Sequence, residues 1–142
     1  MADCPLCDVR GETALWQDTR CRVILANEPD YPGFLRVILH AHTREMTDLS
    51  AADQVALMRV VWAAETALRE VLAPDKINLA SLGNVVPHLH WHVIPRFRDD
   101  PHFPNPVWGA KLRETPHAAP ADLAAQLTTV INRQLARVLG TE

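Results

Sequence analysis

Residues His88-Leu89-His90-Trp91-His92-Val93-Ile94 set three histidines in strict alternation with apolar residues. Side chains of a β-strand point to opposite faces with a period of two. His88, His90 and His92 therefore share one face, and Leu89, Trp91 and Val93 share the other. Neighbouring imidazoles stand about 7 Å apart, from a rise of roughly 3.3 Å per residue. Imidazole titrates near neutral pH, ligates metals and attacks electrophiles, so this face suits a metal site, a nucleophile or both. One ion held by all three rings is disfavoured: the first and third lie about 13 Å apart on a flat strand, against a Zn–N bond of about 2.1 Å. A second pair with chemistry is Cys4-Pro5-Leu6-Cys7. Two thiolates at this spacing clamp one zinc if two more ligands reach it. The rival readings are a redox pair, which no βαβ pattern accompanies, and plain reduced cysteines.

The elements that must position these residues read as α+β. Residues 14–17 and 21–26 are apolar-rich around Asp18-Thr19-Arg20 and read as a β-hairpin. Phe34 to Leu39 reads as a third strand. Ser50-Ala51-Ala52-Asp53 resembles a capping box with Asp in the acidic position. Val55, Met58, Val61, Trp62, Leu68 and Leu72 then mark a helical stripe that Pro74 ends. Ile77 to Leu82 and His88 to Ile94 read as two more strands joined by a Gly83-Asn84 turn, the last pairing irregularly at its start because Pro87 has no N–H. Residues 99–120, rich in Pro, Asp and His, read as an ordered irregular loop. Leu123, Leu127, Val130, Ile131, Leu135 and Val138 repeat at helical spacing between Pro120 and Gly140. The sum is five antiparallel strands and two helices, with one helical face free for a second subunit.

A chain of 142 residues suits one domain with a real core, and 48% apolar and 22% charged residues are ordinary for a soluble globular protein. A net charge of -3 gives no electrostatic reason to expect nucleic-acid or membrane binding. Met1-Ala2-Asp3-Cys4-Pro5 shows neither the basic nor the apolar segment of a secretory leader, and no apolar run approaches the ~20 residues that span a bilayer. Three cysteines in a chain that reads as cytoplasmic argue against a disulfide framework.

The order His-φ-His-φ-His-φ-φ, with φ apolar, resembles the signature of the histidine triad (HIT) family of nucleotide hydrolases and transferases. Asn27-Glu28-Pro29-Asp30-Tyr31-Pro32-Gly33 and the strand after it resemble the family's turn and third strand. Gly83-Asn84-Val85-Val86-Pro87 stands where the family has Gly-Gln-[Ser/Thr]-Val, and Ile94-Pro95-Arg96 matches the usual exit from the triad. The resemblance covers roughly residues 1–110. It implies a homodimer with two-fold symmetry and a single domain over 1–142: an N-terminal C-x-x-C segment at 1–12, a triad strand at 88–94, and a C-terminal loop and helix at 99–140.

The resemblance also implies roles. His90 becomes the nucleophile that forms a nucleotidyl-histidine, a part imidazole can play because it attacks phosphorus and leaves again on protonation. His92 donates to the α-phosphate or assists the leaving group, and His88 orients the neighbourhood or binds metal. Asn27 faces the ribose hydroxyls and Asn84 the phosphate, the latter one methylene shorter than the family's Gln. Val85 replaces a Ser or Thr hydroxyl, which removes one proton donor to the leaving group. Zinc-binding relatives carry a histidine just after the third strand, here His42, and use the first triad histidine, here His88. A structural zinc on Cys4, Cys7, His42 and His88 follows, stapling the N-terminus to the catalytic strand. His40 is the weaker of its pair, and Cys21 is a buried or half-buried small residue. Asp99 to Pro104 with His102 reads as a solvated loop or a cover for the nucleotide. Arg96 and Arg98 meet phosphates or form surface ion pairs. The tryptophans are expected in the core, with Trp108 marking a dimer contact. Two functions compete: an enzyme that hydrolyses or transfers nucleoside monophosphate groups of phosphoramidates or dinucleoside polyphosphates, and a zinc-stabilised nucleotide-binding or interaction module with little turnover.

Overall fold

The computed structural model describes residues 3–114 and 117–139. Strands β1 (Thr13–Gln17), β2 (Cys21–Leu25), β3 (Leu35–Leu39), β4 (Lys76–Ala80) and β5 (His90–Arg96) form one antiparallel sheet in the order β1-β2-β3-β5-β4. Helix α1 (Ala51–Leu72) crosses from β3 to β4, and α2 (Leu123–Leu139) follows the long loop after β5. The five-stranded antiparallel sheet with two helices expected from the sequence is present.

Alternation along the strands decides which face does what. Leu15, Cys21, Val23, Leu35, Val37, Leu39, Leu89 and Val93 point to the helices and join α1 and α2 in the main core. Trp91 packs on the same side, half-buried. The opposite face of β5 carries His90, His92, Ile94 and Arg96. Ile94 joins Ala26, Tyr31 and Phe34 in a second, smaller core beneath the loop. The sheet thus separates a helix-covered structural side from a loop-covered chemical side.

Helix α1 starts where expected: Ser50 Oγ accepts the N–H of Asp53 at 3.1 Å. The box is half formed, since the Asp53 carboxylate instead accepts Arg20 Nε at 3.0 Å. The helix stops at Leu72, with Ala73 in the left-handed region (φ 46°) just ahead of Pro74. Its buried stripe is Leu57, Val60, Val61, Ala64 and Leu68, with Ala63 and Ala67 beside it. This corrects the expected stripe: Val55 and Trp62 are 48% and 53% exposed. Alanines share the buried face with the larger Leu57, Val60, Val61 and Leu68, while Val55 and Trp62 turn outward. In α2, Leu123, Leu127, Val130, Ile131 and Leu135 are buried as expected, whereas Val138 is exposed; Gly140 lies outside the described residues.

The triad strand begins two residues later than its pattern suggests, at His90, and ends at Arg96. Pro87 cannot donate, and the N–H of Leu89 goes to Thr43 O (2.7 Å). Strand β4 ends at Ala80, so residues 81–89 form a longer loop through Gly83 (φ +71°) rather than a tight Gly83-Asn84 turn. Gly33, at φ +89° before β3, lies so close to α1 that an added Cβ would meet Leu72 Cδ1 at 2.7 Å.

Candidate active site and metal centre

The three triad histidines divide between two places. His88, fully buried, precedes β5 and turns toward the N-terminal segment. Its Nε2 donates to Leu39 O at 2.6 Å. A carbonyl only accepts, so the neutral ring carries its lone pair on Nδ1. That atom lies 3.4 Å from Cys4 Sγ and 3.6 Å from Cys7 Sγ, and His42 Nδ1 lies 3.5 Å from Cys7 Sγ. Burial lowers the pKa of His88 below the ordinary imidazole value; the bond to Leu39 O opposes this, and the charges of His42, Arg22 and His90 add to it.

The ligand atoms of Cys4, Cys7, His42 and His88 all lie within 4.8 Å of one another. A zinc tetrahedron with Zn–S ≈ 2.3 Å and Zn–N ≈ 2.0–2.1 Å has an S–N edge of about 3.6 Å. The measured separations match that edge, so this donor set fits a tetrahedral soft metal. Leu39 O supplies the outer partner that fixes the His88 tautomer. The N-terminal arm is itself anchored by Arg22, a buried guanidinium on β2. It bonds Glu12 through Nε (2.7 Å) and Nη2 (2.9 Å), and Leu6 O through Nη2 (2.8 Å). Sequence reasoning missed Arg22, because nothing in Cys-Arg-Val distinguishes a buried arginine from a solvated one. His40 stays outside the cluster, with Nε2 donating to Asp18 O at 2.9 Å. Cys21 is buried, and burial, with Asp18 adding, raises its thiol to about 12, so it is chemically inert.

His90 and His92 face the other way, with ring centroids 4.9 Å apart at 82°. They are closer than the spacing of a flat strand suggests because the rings lean together. His90 Nδ1 donates to His88 O at 2.6 Å. The neutral ring therefore keeps its lone pair on Nε2, the tautomer a nucleophile needs. The same residue thus serves both centres: the His88 side chain meets the cysteines and its carbonyl sets His90. His88 contributes no ring to the reactive cavity.

That cavity, about 320 Å³, is lined by His90, His92, Leu82, Gly83, Asn84, Val85, Val86 and Trp108. Asn84 lines the same cavity as His90. Asn27 is exposed and does not line this cavity. A second, smaller cavity of about 150 Å³ also borders Trp108, between Glu28, Asp30, Tyr31, Phe34, His102 and Val107. His92 packs among Phe34, Trp108 and His90. Burial, with the charges of His90 and Arg36 adding, lowers it to about 4, and its Nδ1 is buried without a protein partner. At pH 7 it is a neutral hydrogen-bonding group rather than an imidazolium acid.

The loop after β5 is built on a buried ion pair. Arg96 Nε and Nη2 bond Asp100 Oδ2 and Oδ1 at 2.8 and 3.1 Å, with both side chains almost wholly buried. Arg96 also reaches Asn78 Oδ1 (2.8 Å) and Asn105 O (2.7 Å). Asp100 accepts the N–H groups of Phe97, His102 and Phe103 and the Tyr31 hydroxyl. This corrects two expectations. Arg96 meets neither a phosphate nor the surface, and the segment through His102 is a fastened knot rather than a solvated loop, with His102 Nδ1 2.5 Å from Tyr31 Oη. His117 stacks on Phe97 at 3.6 Å. Of the tryptophans, Trp16 and Trp91 are half-buried and pack against the main core, as expected, whereas Trp62 is 53% exposed; Trp108, in the loop, is also 53% exposed.

Comparison with known proteins agrees with this geometry. The chain is 29% identical to the AP-4-A phosphorylase of Mycobacterium tuberculosis over 90 residues, which is 59% of this chain and 46% of that protein. The chain therefore spans less than half the length of that relative. It is 28% identical to adenylylsulfatase HINT3 of Arabidopsis thaliana over 94% of its own length and 70% of the other's. A histidine triad protein of Bradyrhizobium japonicum superposes with a TM-score of 0.70 at 30% identity, covering 87% of this chain and 90% of that one. A Zn-bound histidine triad family protein of Mycobacterium smegmatis, 21% identical with a TM-score of 0.65, shares the fold over 99% of both chains. The HIT domain model matches residues 9–99. By a match spanning more than half its length, with two histidines on one reactive face and a third behind it, this chain belongs to the HIT domain family.

Proposed function

We propose that the protein is a nucleotide hydrolase or nucleotidyl transferase that works through a covalent intermediate on His90. The observation that carries this reading is the 2.6 Å bond from His90 Nδ1 to His88 O, which leaves Nε2 unprotonated beside an open cavity. The Nε2 lone pair attacks the α-phosphorus and forms an N–P bond. The bond from phosphorus to the leaving group breaks, and its electron pair departs with that group. Water then attacks phosphorus and loses its proton to solvent, the N–P pair returns to Nε2, and a nucleoside monophosphate is released. His92, neutral at pH 7, hydrogen-bonds a phosphate oxygen, and Asn84 supplies a second amide contact. Asn27 is the residue proposed for the ribose hydroxyls, from its place in the 27–33 turn. Phosphoramidates, dinucleoside polyphosphates and adenylylsulfate are the donors to try, the last two taken from the relatives' names.

Zinc on Cys4, Cys7, His42 and His88 is proposed as structural: when bound it clamps the N-terminal arm to His88 and supplies no Lewis acid to the cavity. A homodimer is proposed through the free edge of β4. Glu65 and Arg69 of α1 line a groove with Lys76 and Ile77 of that edge, and the exposed Trp62 lies one turn along the same helix face. Among the described residues no helix is long and apolar enough to cross a membrane.

The test is turnover of these adenylyl donors by the wild-type chain and by His90→Ala. Activity that disappears in the variant while nucleotide binding persists supports the enzyme. Tight nucleotide binding with no turnover on any donor favours the binding-module reading.

A further inference from the structure

None of residues 3–12 is buried, so the N-terminal arm puts no side chain into the core. Among the described residues, two sets of polar contacts tie it to the rest of the fold. Arg22 bonds Leu6 O and Glu12, and the sulfurs of Cys4 and Cys7 meet the rings of His88 and His42. The attachment of the arm therefore depends on the chemical state of two sulfur atoms.

Those sulfurs have a second state within reach. Cys7 is exposed and Cys4 half-buried, whereas Cys21 is buried. The Cys7 N–H donates to Cys4 O at 3.1 Å and closes a 3-10 turn over Pro5–Cys7. The end Cα atoms of such a turn lie under about 7 Å apart, and a disulfide spans about 4.4–6.8 Å. The backbone thus already brings the two residues to bridging distance. A disulfide holds its sulfurs about 2.05 Å apart. Two sulfurs on one tetrahedral zinc stand about 3.8 Å apart, from a Zn–S bond of about 2.3 Å. The same pair cannot do both.

The arm also backs a wall of the reactive cavity. Cys4, Pro5 and His42 line a space of about 230 Å³ together with Val85, Val86 and Pro87. Val85 and Val86 line the His90 cavity as well. Val86 O accepts the N–H of His88 at 2.8 Å. Freeing the arm removes one support of that loop.

We infer that Cys4 and Cys7 are a site of reversible oxidation, at which a hydroperoxide closes a Cys4–Cys7 disulfide, expels the metal and detaches the arm from the 84–88 loop. The inference rests on the zinc reading above. The exposed Cys7 thiolate attacks hydrogen peroxide, the O–O bond breaks, and sulfur keeps one oxygen as a sulfenic acid while hydroxide leaves. The Cys4 thiolate then attacks that sulfur, the S–S bond forms and a second hydroxide leaves. Two electrons have passed from the sulfurs to the peroxide, and two protons from solvent turn the hydroxides into water. A dithiol reverses the change.

The experiment adds hydrogen peroxide to the zinc-loaded wild-type chain. Four readouts follow it: a chromogenic zinc indicator, a thiol count in denaturant, peptide mapping and amide hydrogen exchange. About one zinc per chain should be released. The thiol count should fall from the three cysteines of the chain by two, leaving Cys21. Mapping should find Cys4 joined to Cys7 within one chain. Exchange should quicken by about tenfold over 4–12 and 84–88 and stay unchanged over 127–135. Dithiol with added zinc should restore the starting state, and Cys21→Ala should respond as the wild type does. The inference is overturned if oxidation gives sulfinic acid or a disulfide between chains instead, or if the metal leaves with no change over 84–88. Zinc that stays bound through complete oxidation overturns this inference and leaves the structural zinc standing. A reduced preparation that takes up no zinc overturns both.

Discussion

Replacing Asp100 by asparagine tests whether the loop over the triad is fastened as described. The carboxylate is almost fully buried against Arg96, with N–O distances of 2.8 and 3.1 Å, and accepts three backbone N–H groups. Burial alone would raise its pKa, but Arg96 and those N–H groups outweigh it and bring the value from 3.8 to about 2. At about 1.36 kcal/mol per pH unit, that fall is worth about 2.5 kcal/mol. The sign follows from the depressed value. This stability is fully present above pH 3.8 and is lost as pH falls from there through about 2. Asp100→Asn also leaves the buried Arg96 charge uncompensated, for which about 3–5 kcal/mol is the usual cost. Urea denaturation at pH 7 should therefore show a loss in that range. In a pH series, the gap between wild type and variant should narrow by about 1.8 kcal/mol between pH 4 and 2, and by the remainder of the roughly 2.5 kcal/mol outside that window. A loss below about 1 kcal/mol at pH 7, or parallel pH curves, would show that the pair does not hold the loop.

Three further outcomes follow from the same geometry. Chelation, or Cys7→Ser, should cost at least ~3 kcal/mol of stability, and the untreated protein should carry about one zinc per chain; a metal-free preparation of unchanged melting temperature would refute the staple. His92 is held at about 4 against an ordinary 6.5, so its unfolded ring takes up a proton that the folded ring refuses. Stability should fall by up to about 3 kcal/mol as pH drops from 6.5 to 4, and His92→Gln should flatten that slope in denaturant titrations; an unchanged slope would contradict the burial argument. Ser50→Ala removes the N-cap of α1 and should cost about 1 kcal/mol in thermal unfolding without changing nucleotide binding; no loss would mean that Asp53 caps through other contacts.

Periodic patterns in the sequence carried most of the fold. The alternation at 88–94 placed Leu89, Trp91 and Val93 on the core side because a half-buried strand leaves no other arrangement, and α2 declared its stripe because one face alone is apolar. Helix α1 was harder to read. Its buried face includes Ala63, Ala64 and Ala67, residues too small to mark a stripe, while Val55 and Trp62 carry an apolar signal on the outside. The metal cluster was legible through Cys4 and Cys7, whose spacing is local. The tautomers of His88 and His90 were not, since they depend on Leu39 O and on a main-chain carbonyl. Nor was the Arg96–Asp100 knot: four residues apart in a loop, the pair has no period to reveal it. The edge-on contact of Trp108 with His92, made by a residue of the same loop, was hidden as well.

The central claim is that Nε2 of residue 90 takes the nucleotidyl group. Rapid acid-free quenching during turnover of a labelled adenylyl donor, followed by peptide mapping, tests it most directly. The account predicts a transient adenylyl adduct, approaching one per chain, on the peptide containing His90. Product formation with no adduct, an adduct on another residue, or undiminished turnover by His90→Gly would contradict it.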